Sequence, residues 1–371
     1  MSGLYVHIPY CRKACYYCDF HFSTNLRNMD EMVAAICAEI KFRGDTNSVQ
    51  LETIYFGGGT PSVLSIVQLE RILKTIKEYH KSNPSAEITL EVNPDDLDLD
   101  YLDRIRALGV NRLSIGIQSF HSSHLSWMNR SHTSKQATNA IKWAKEKGFD
   151  TSSVDLIYGF KDLTMAQWKD NVARVLDSGL NHLSCYALTI EDNTPFAKIQ
   201  RKQNIRLVND TNAWKQFEYV HSTAIQMGWQ HYELSNFAKE GHTSAHNQSY
   251  WNSKPYMGIG PGAHSFDGIN TRSWNVSDNW KYIDLVNSDN INYHSSEQLN
   301  TIERQNEKIM VGLRTAEGIS LELINNAMNN KEHPVHSFLQ QNLAQISDNK
   351  LKLTIEGWWQ SDHIIGTLFQ V

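Results

Sequence analysis

Cys11, Cys15 and Cys18, spaced C-x3-C-x2-C, are the residues of this chain best placed to do chemistry. Three thiolates in one short loop can hold three irons of a [4Fe–4S] cluster and leave the fourth without a protein ligand. An open iron is a place for a small molecule to bind, as the free position of a catalytic zinc is. The spacing equally fits a structural zinc site, with His7 or His21 as fourth ligand, or half of a disulfide pair. The segment from Tyr5 to Cys11, YVHIPYC, reads as a β-strand running straight into the cysteine loop.

Further residues of chemical character recur at what read as strand ends. Gly57, Gly58 and Gly59, followed by Thr60 and Pro61, would let backbone approach a ligand without Cβ atoms in the way. A glycine-rich strand end is also what an ordinary turn requires, and without G-K-[ST] it is no P-loop. Glu91 and Asp155 suit ribose hydroxyls or an amino group, and Gln118 can both donate and accept. Each singly reads as a surface or capping residue; together with the cysteine loop they read as a site. Gly258-Ile259-Gly260-Pro261-Gly262 lacks the G-x-G-x-x-G spacing and reads as a loop.

The elements that must position these residues alternate. Strands are expected at about 3–9, 52–58, 87–93, 112–118, 152–158 and 182–188, with helices at about 30–43, 66–81, 98–108, 134–147 and 165–178. Gly44, Gly109, Gly148 and Gly179 stop several of those helices. Strands alternating with helices predict a parallel sheet. A closed barrel of this type has eight units, so six imply an open, partial barrel. Ligands of such folds bind beyond the carboxyl ends of the strands, which is where the cysteine loop, the glycines, Glu91 and Gln118 fall, with Asp155 inside strand five and Tyr186 and Ala187 ending strand six.

Composition narrows the class. The 371 residues carry 35 Lys and Arg against 40 Asp and Glu, a net charge of −5, with no basic stripe asking for nucleic acid. Five cysteines, with Cys11, Cys15 and Cys18 crowded together, are metal-binding rather than disulfide usage. Cys37, in an amphipathic helix, and Cys185, in a strand, read as small apolar core residues. The N-terminus lacks a basic stretch followed by an apolar one, so no signal peptide is expected, and no apolar run is long enough to span a bilayer. The expectation is a soluble cytoplasmic protein, with peripheral membrane contact open.

Taken together, Cys11, Cys15, Cys18, the Gly57 to Pro61 segment, Glu91, Gln118 and Asp155 resemble radical S-adenosylmethionine proteins. More narrowly, Tyr5-x-His7-Ile8-Pro9, Arg130 within MNRSH, and Gly260-Pro261-Gly262-Ala263-His264-Ser265 are similar to the oxygen-independent coproporphyrinogen III oxidase group, over nearly the whole chain. The resemblance implies a [4Fe–4S] cluster on Cys11, Cys15 and Cys18 whose open iron is chelated by the amino and carboxylate groups of S-adenosylmethionine. It implies that the reduced cluster can pass an electron to the sulfonium and release a 5′-deoxyadenosyl radical. It also places Tyr5, Tyr17, Gly58, Gly59, Thr60, Glu91, Gln118, Arg130 and Asp155 around S-adenosylmethionine.

Two features separate the branches of this group. True coproporphyrinogen oxidases resemble C-x3-C-x2-C-x-C, and Phe20 stands where their fourth cysteine falls. His246-Asn247-Gln248-Ser249-Tyr250-Trp251 resembles the H-N-x-x-Y-W pattern of HemW-type haem chaperones. Both favour a protein that binds haem and hands it to acceptor proteins, membrane enzymes among them, over one that decarboxylates coproporphyrinogen III. An electron donor is implied if S-adenosylmethionine is cleaved. Under this resemblance His246 is an axial iron ligand, and Tyr250 and Trp251 supply flat apolar area against the macrocycle. An arbitrary one of the 16 histidines is an ordinary polar residue; His264 and His242 are lesser candidates. A zinc-stabilised binding module is the reading from another class, and it leaves the strand-end residues unexplained.

The chain divides, on this reading, into a partial-barrel core over 1–190, an extension carrying the H-N-x-x-Y-W motif over 191–298, and a C-terminal module over 299–371. A helix is expected at 209–227, followed by an extended segment at 228–235. Helices at 301–314, 319–328 and 334–345 and short strands at 350–355 and 363–369 resemble a winged helix, which without basic residues reads as a lid or docking surface rather than a DNA reader.

Overall fold

The computed structural model describes residues 2–44, 50–204, 206–288 and 293–370. Apolar alternation and helical periodicity take turns along the first half of the chain, and the elements follow them. They are β1 (Ser2–Ile8), α1 (Met29–Gly44), β2 (Leu51–Gly58), α2 (Ile66–Tyr79), β3 (Ser82–Val92), α3 (Leu99–Ala107) and β4 (Arg112–Gln118). After these come α4 (Ser122–Trp127), α5 (Ser134–Glu146), β5 (Ser153–Tyr158), α6 (Met165–Leu176) and β6 (His182–Ala187). β1 to β6 pair side by side in chain order, all parallel. α2, α5 and α6 begin with reciprocal caps, Ser65 with Gln68, Thr133 with Gln136 and Thr164 with Gln167. Each such cap satisfies orphan backbone donors and stabilises its helix start by about 1 kcal/mol.

Successive strand side chains point to opposite faces, and here the two faces differ in kind. Leu4, Val6, Ile54, Phe56, Leu90, Leu113, Ile115, Val154, Leu156, Leu183 and Cys185 are buried in the apolar core. Cys37 of α1 is buried there too. The alternate positions, Tyr5, Tyr55, Glu91, Ser114, Asp155 and Ser184, carry polar groups on the inner face. Their register sets Tyr5 beside Tyr55, Glu91 beside Ser114, and Asp155 beside Ser184. An inner face this polar is stable when it lines a ligand site rather than a dry core.

The second half extends the same sheet. α7 (Pro195–Gln203), α8 (Asp210–Gln226), β7 (Gln230–Glu233), β8 (Asn236–Ala238), α9 (Ala245–Trp251), β9 (Tyr256–Ile259), β10 (His264–Phe266), β11 (Thr271–Asn275), α10 (Asn279–Asn287) and β12 (His294–Gln298) follow. β9 pairs in parallel with β1, and β10 to β12 continue antiparallel beyond it, while β8 and β7 continue antiparallel beyond β6. Among the described residues the result is a sheet of 12 strands, an α/β partial barrel wider than the six expected units.

The C-terminal module comprises α11 (Thr301–Gly312), β13 (Ile319–Ser320), α12 (Asn325–Asn329), α13 (Val335–Gln340), β14 (Ala344–Ser347), β15 (Lys350–Leu353), α14 (Ile355–Trp359) and α15 (Ser361–Leu368). Its sheet runs β13-β15-β14, so the hairpin lies one strand earlier than the sequence suggests. The expected strand at 363–369 is the helix α15. Its β-branched Ile364, Ile365 and Thr367 read as strand, but Ile364, Ile365 and Leu368 recur at helical spacing and are buried together, so tertiary packing overrides propensity. Likewise 319–328 divides into β13, a 3-10 turn at Leu321–Ile324 and α12, and 334–345 into α13 and the start of β14. No helix among the described residues is long and apolar enough to cross a membrane.

Candidate functional site

Beyond the carboxyl ends of the strands lies a cavity of about 590 Å³. Cys11, Cys15 and Cys18 line it, together with Tyr17, Gly58, Gly59, Thr60, Glu91, Gln118, Arg130 and Asp155. Phe20, in the position of the absent fourth cysteine, is 70% exposed and also lines it.

The cysteine loop is held from several sides. Cys11 N–H donates to the Ser23 carbonyl at 3.0 Å and Asn129 Nδ2 to the Ala14 carbonyl at 2.7 Å. Thr60 Oγ1 donates to Cys11 Sγ and Arg130 Nη1 to Cys15 Sγ, both at 3.3 Å. Burial pushes the Cys11 thiol up to about 12 against the pull of Thr60, and the Cys18 thiol up to about 11. Without a cation both therefore stay protonated, and iron binding would release their protons.

The zinc alternative finds little support here. His7 Nδ1 faces the Tyr5 hydroxyl at 3.1 Å and Nε2 the His21 carbonyl at 2.9 Å. His21 Nε2 faces Asn279 Oδ1 at 2.8 Å. Among the described residues no group of three or more His, Cys, Asp or Glu is arranged to hold a single metal ion. All five cysteines are free thiols, which also sets aside the disulfide reading.

Two glycines shape the adjoining wall. Gly58 has φ +109°, and a Cβ there would stand 2.5 Å from the His7 ring; one on Gly59 would stand 2.6 Å from the Tyr10 carbonyl. The bare backbone is thus a steric requirement. Gly58 N–H donates to Glu91 Oε2 at 3.2 Å, and the Tyr55 hydroxyl donates to Glu91 Oε1 at 2.9 Å. Burial raises Glu91 to about 7; the Tyr55 and Gly58 hydrogen bonds oppose the shift and nearby Asp155 adds to it.

Asp155 is raised by burial while accepting from Ser114 at 2.9 Å and Ser153 at 3.0 Å. Gln118 ends β4 at a register shift with φ +66°, a left-handed conformation that costs about 1–3 kcal/mol in a non-glycine residue and re-aims its side chain. The Arg130 guanidinium donates to Asn93 Oδ1 at 2.7 Å and to the Gly116 carbonyl at 2.6 Å, and its buried Nε has no partner. The thiols, glycine cradle, carboxylates and orphaned Nε on one cavity suit a cluster with a small polar ligand beside it.

A second cavity, about 200 Å³, adjoins the first and is lined by Tyr5, Phe20, Tyr55, Gly58, Glu91, His246, Asn247 and Tyr250. Tyr5, expected with S-adenosylmethionine, lines this cavity rather than the larger one. α9 is pinned into the barrel by Glu87 of β3, whose carboxylate accepts from the N–H groups of Ala245 at 3.1 Å and His246 at 3.0 Å. An anion at a helix N-terminus is favourable.

His246 is 1% exposed, with Nδ1 2.7 Å from Thr53 Oγ1 and Nε2 2.8 Å from the Tyr250 hydroxyl. Burial lowers it to about 3, so the ring is neutral. Trp251 lines neither cavity, and its buried Nε1 lacks a partner. His264 is exposed on β10 against Trp274, and His242 has a buried, unpartnered Nδ1; neither lines either of these two cavities.

Tyr55, Thr53 and Glu87 went unread in the sequence. The signal was the run of alternate polar residues along β2 and β3, Thr53, Tyr55, Glu87, Thr89 and Glu91, which a dry barrel interior would not contain.

Fold and cysteine loop together define a radical S-adenosylmethionine protein, and residues 5–175 match the Radical SAM superfamily. The chain is 35% identical to the heme chaperone HemW of Bacillus subtilis (strain 168), over 86% of this chain and 85% of that one. It is 30% identical to the heme chaperone HemW of Mycobacterium tuberculosis (strain ATCC 25618 / H37Rv), over 99% and 94%. The solved structure of coproporphyrinogen III oxidase (HemN) from Escherichia coli superposes with a TM-score of 0.84 at 23% identity, covering 99% of this chain and 90% of that one, which establishes the shared fold. The chain belongs to the HemW family of the radical SAM superfamily. That superfamily implies a [4Fe–4S] cluster and S-adenosylmethionine.

Proposed function

We propose that this protein binds haem beside His246 and passes it to acceptor proteins, with a [4Fe–4S] cluster and S-adenosylmethionine held in the adjoining cavity. The observation that carries the reading is the placement of the H-N-x-x-Y-W helix. α9 packs against the inner face of the barrel through its buried His246, with the His246 ring at a cavity walled by aromatic side chains that shares lining residues with the cysteine cavity. An imidazole ligand amid flat apolar rings is what a haem edge requires. The relatives' description as haem chaperones supports the same reading.

Cys11, Cys15 and Cys18 would hold the cluster, with Thr60 and Arg130 donating to two of the sulfurs. Gly58, Gly59, Tyr17, Glu91, Gln118, Arg130 and Asp155 would surround S-adenosylmethionine. Bound there, the cluster and its ligand supply one-electron chemistry. Residues 1–190, 191–298 and 299–371 are assigned as core, extension and docking module. Acceptors on a membrane surface would be met by peripheral contact.

Coproporphyrinogen decarboxylation is the competing reading, and Phe20 in place of the fourth cysteine counts against it. Cluster-loaded protein offered coproporphyrinogen III, reductant and S-adenosylmethionine should release no carbon dioxide. Haem-loaded protein mixed with an apo-haemoprotein should lose its haem to that acceptor. Stoichiometric decarboxylation without haem transfer would reverse the assignment.

A further inference from the structure

We propose that Tyr55 couples the two cavities, so that S-adenosylmethionine in the larger one tightens haem binding at His246. The proposal rests on the haem reading above. Phe20, Tyr55, Gly58 and Glu91 line both cavities and form their common wall. Tyr55 reaches a functional group on each side of it. Its hydroxyl donates to Glu91 Oε1 at 2.9 Å. Its ring stacks on the His246 imidazole with centroids 4.9 Å apart and planes inclined by 24°.

Glu91 already accepts from Tyr55 on one oxygen and from Gly58 N–H on the other. A carboxylate offers about four lone-pair sites, so it can take ligand hydroxyls without releasing either protein donor. A ligand filling those sites fixes the carboxylate, the carboxylate fixes the Tyr55 hydroxyl, and the hydroxyl fixes the ring plane under His246. Haem then meets a wall already ordered, and binding partners that order the same element favour one another without any displacement. The coupling is reciprocal: haem must tighten S-adenosylmethionine by the same factor. Tyr5 belongs to the same aromatic stack, 6.5 Å from His246 between centroids, but its hydroxyl is engaged with His7.

The test is an anaerobic haem titration of the cluster-reconstituted full chain, followed by absorbance, with and without saturating S-adenosylmethionine. Haem should bind about 5-fold or more tightly in its presence, the lower end of ordinary allosteric coupling. Calorimetric titration of S-adenosylmethionine with and without haem should return the same factor. Tyr55→Phe keeps the ring and loses the hydroxyl, and its ratio should fall to near one. The ratio is unaffected by any change in either affinity alone. Tyr5→Phe, which removes a hydroxyl from the same stack, should keep the coupling. A ratio of one in the wild type, or an undiminished ratio in Tyr55→Phe, overturns the proposal. Haem binding that is absent, or indifferent to His246→Ala, instead removes the haem site on which the proposal stands.

Discussion

The hydroxyl of Tyr250 lies 2.8 Å from Nε2 of His246, one helical turn away on α9. In the tautomer that leaves Nε2 basic, Nδ1 donates to Thr53 Oγ1 and the lone pair that would reach iron is capped by Tyr250. Thr53 would then be the outer partner that orients the imidazole for iron, and Tyr250 would compete with the metal. A net hydrogen bond contributes about 0.5–1.5 kcal/mol, so Tyr250→Phe should bind haem roughly 2- to 10-fold more tightly. Haem titration of the variant checks this, and weaker binding would show that the hydroxyl serves the cargo rather than the closed ring.

Cys11→Ala, Cys15→Ala and Cys18→Ala should each abolish cluster assembly, whereas Cys37→Ala, in the core of α1, should leave it intact. Iron and acid-labile sulfide after anaerobic reconstitution decide this. Wild-type contents in any of the first group would remove that ligand. Aerobic preparations are unsuitable, because an iron open to a ligand is open to oxidants too.

Asp155→Asn should weaken S-adenosylmethionine by about 10- to 100-fold, the loss expected for a hydrogen bond to a charged group, without loss of iron. Equilibrium binding to reconstituted protein measures it, and unchanged affinity would take Asp155 out of the site.

Glu91 carries the pH dependence. Its folded value, about 7, lies above the ordinary 4.5, chiefly through burial. The neutral form is therefore favoured in the ligand-free fold. Its contribution to stability is complete below about 4.5 and is lost as pH rises through about 7. Ligand hydroxyls prefer the ionised form, so S-adenosylmethionine affinity should climb between about pH 6 and 8 while ligand-free stability falls. Glu91→Gln should flatten the affinity profile. It should only reduce the stability slope, because Glu233, also raised to about 7 by burial, remains. An affinity profile that keeps its slope in Glu91→Gln would assign the titration elsewhere.

The strand-helix alternation was legible because it needs only local periodicity. The cysteine loop was legible because its three thiols, which line one cavity, are close in sequence. Tyr55 and Glu87 were not, since their partners, His246 and the N-terminus of α9, lie far along the chain and meet them only inside the folded barrel. Tyr5, which the resemblance places with S-adenosylmethionine, lines the smaller of the two adjoining cavities because the pleat turns it toward α9. The C-terminal wing slipped by one strand because β-branched residues in α15 carry strand propensity, while burial beside α11 and α13 decides for helix.

Haem titration of cluster-reconstituted wild type and His246→Ala under anaerobic conditions, followed by absorbance, tests the central claim most directly. Saturable binding of about one haem, lost in the variant, is the predicted result. Saturable binding that survives His246→Ala, or none in the wild type, would contradict it.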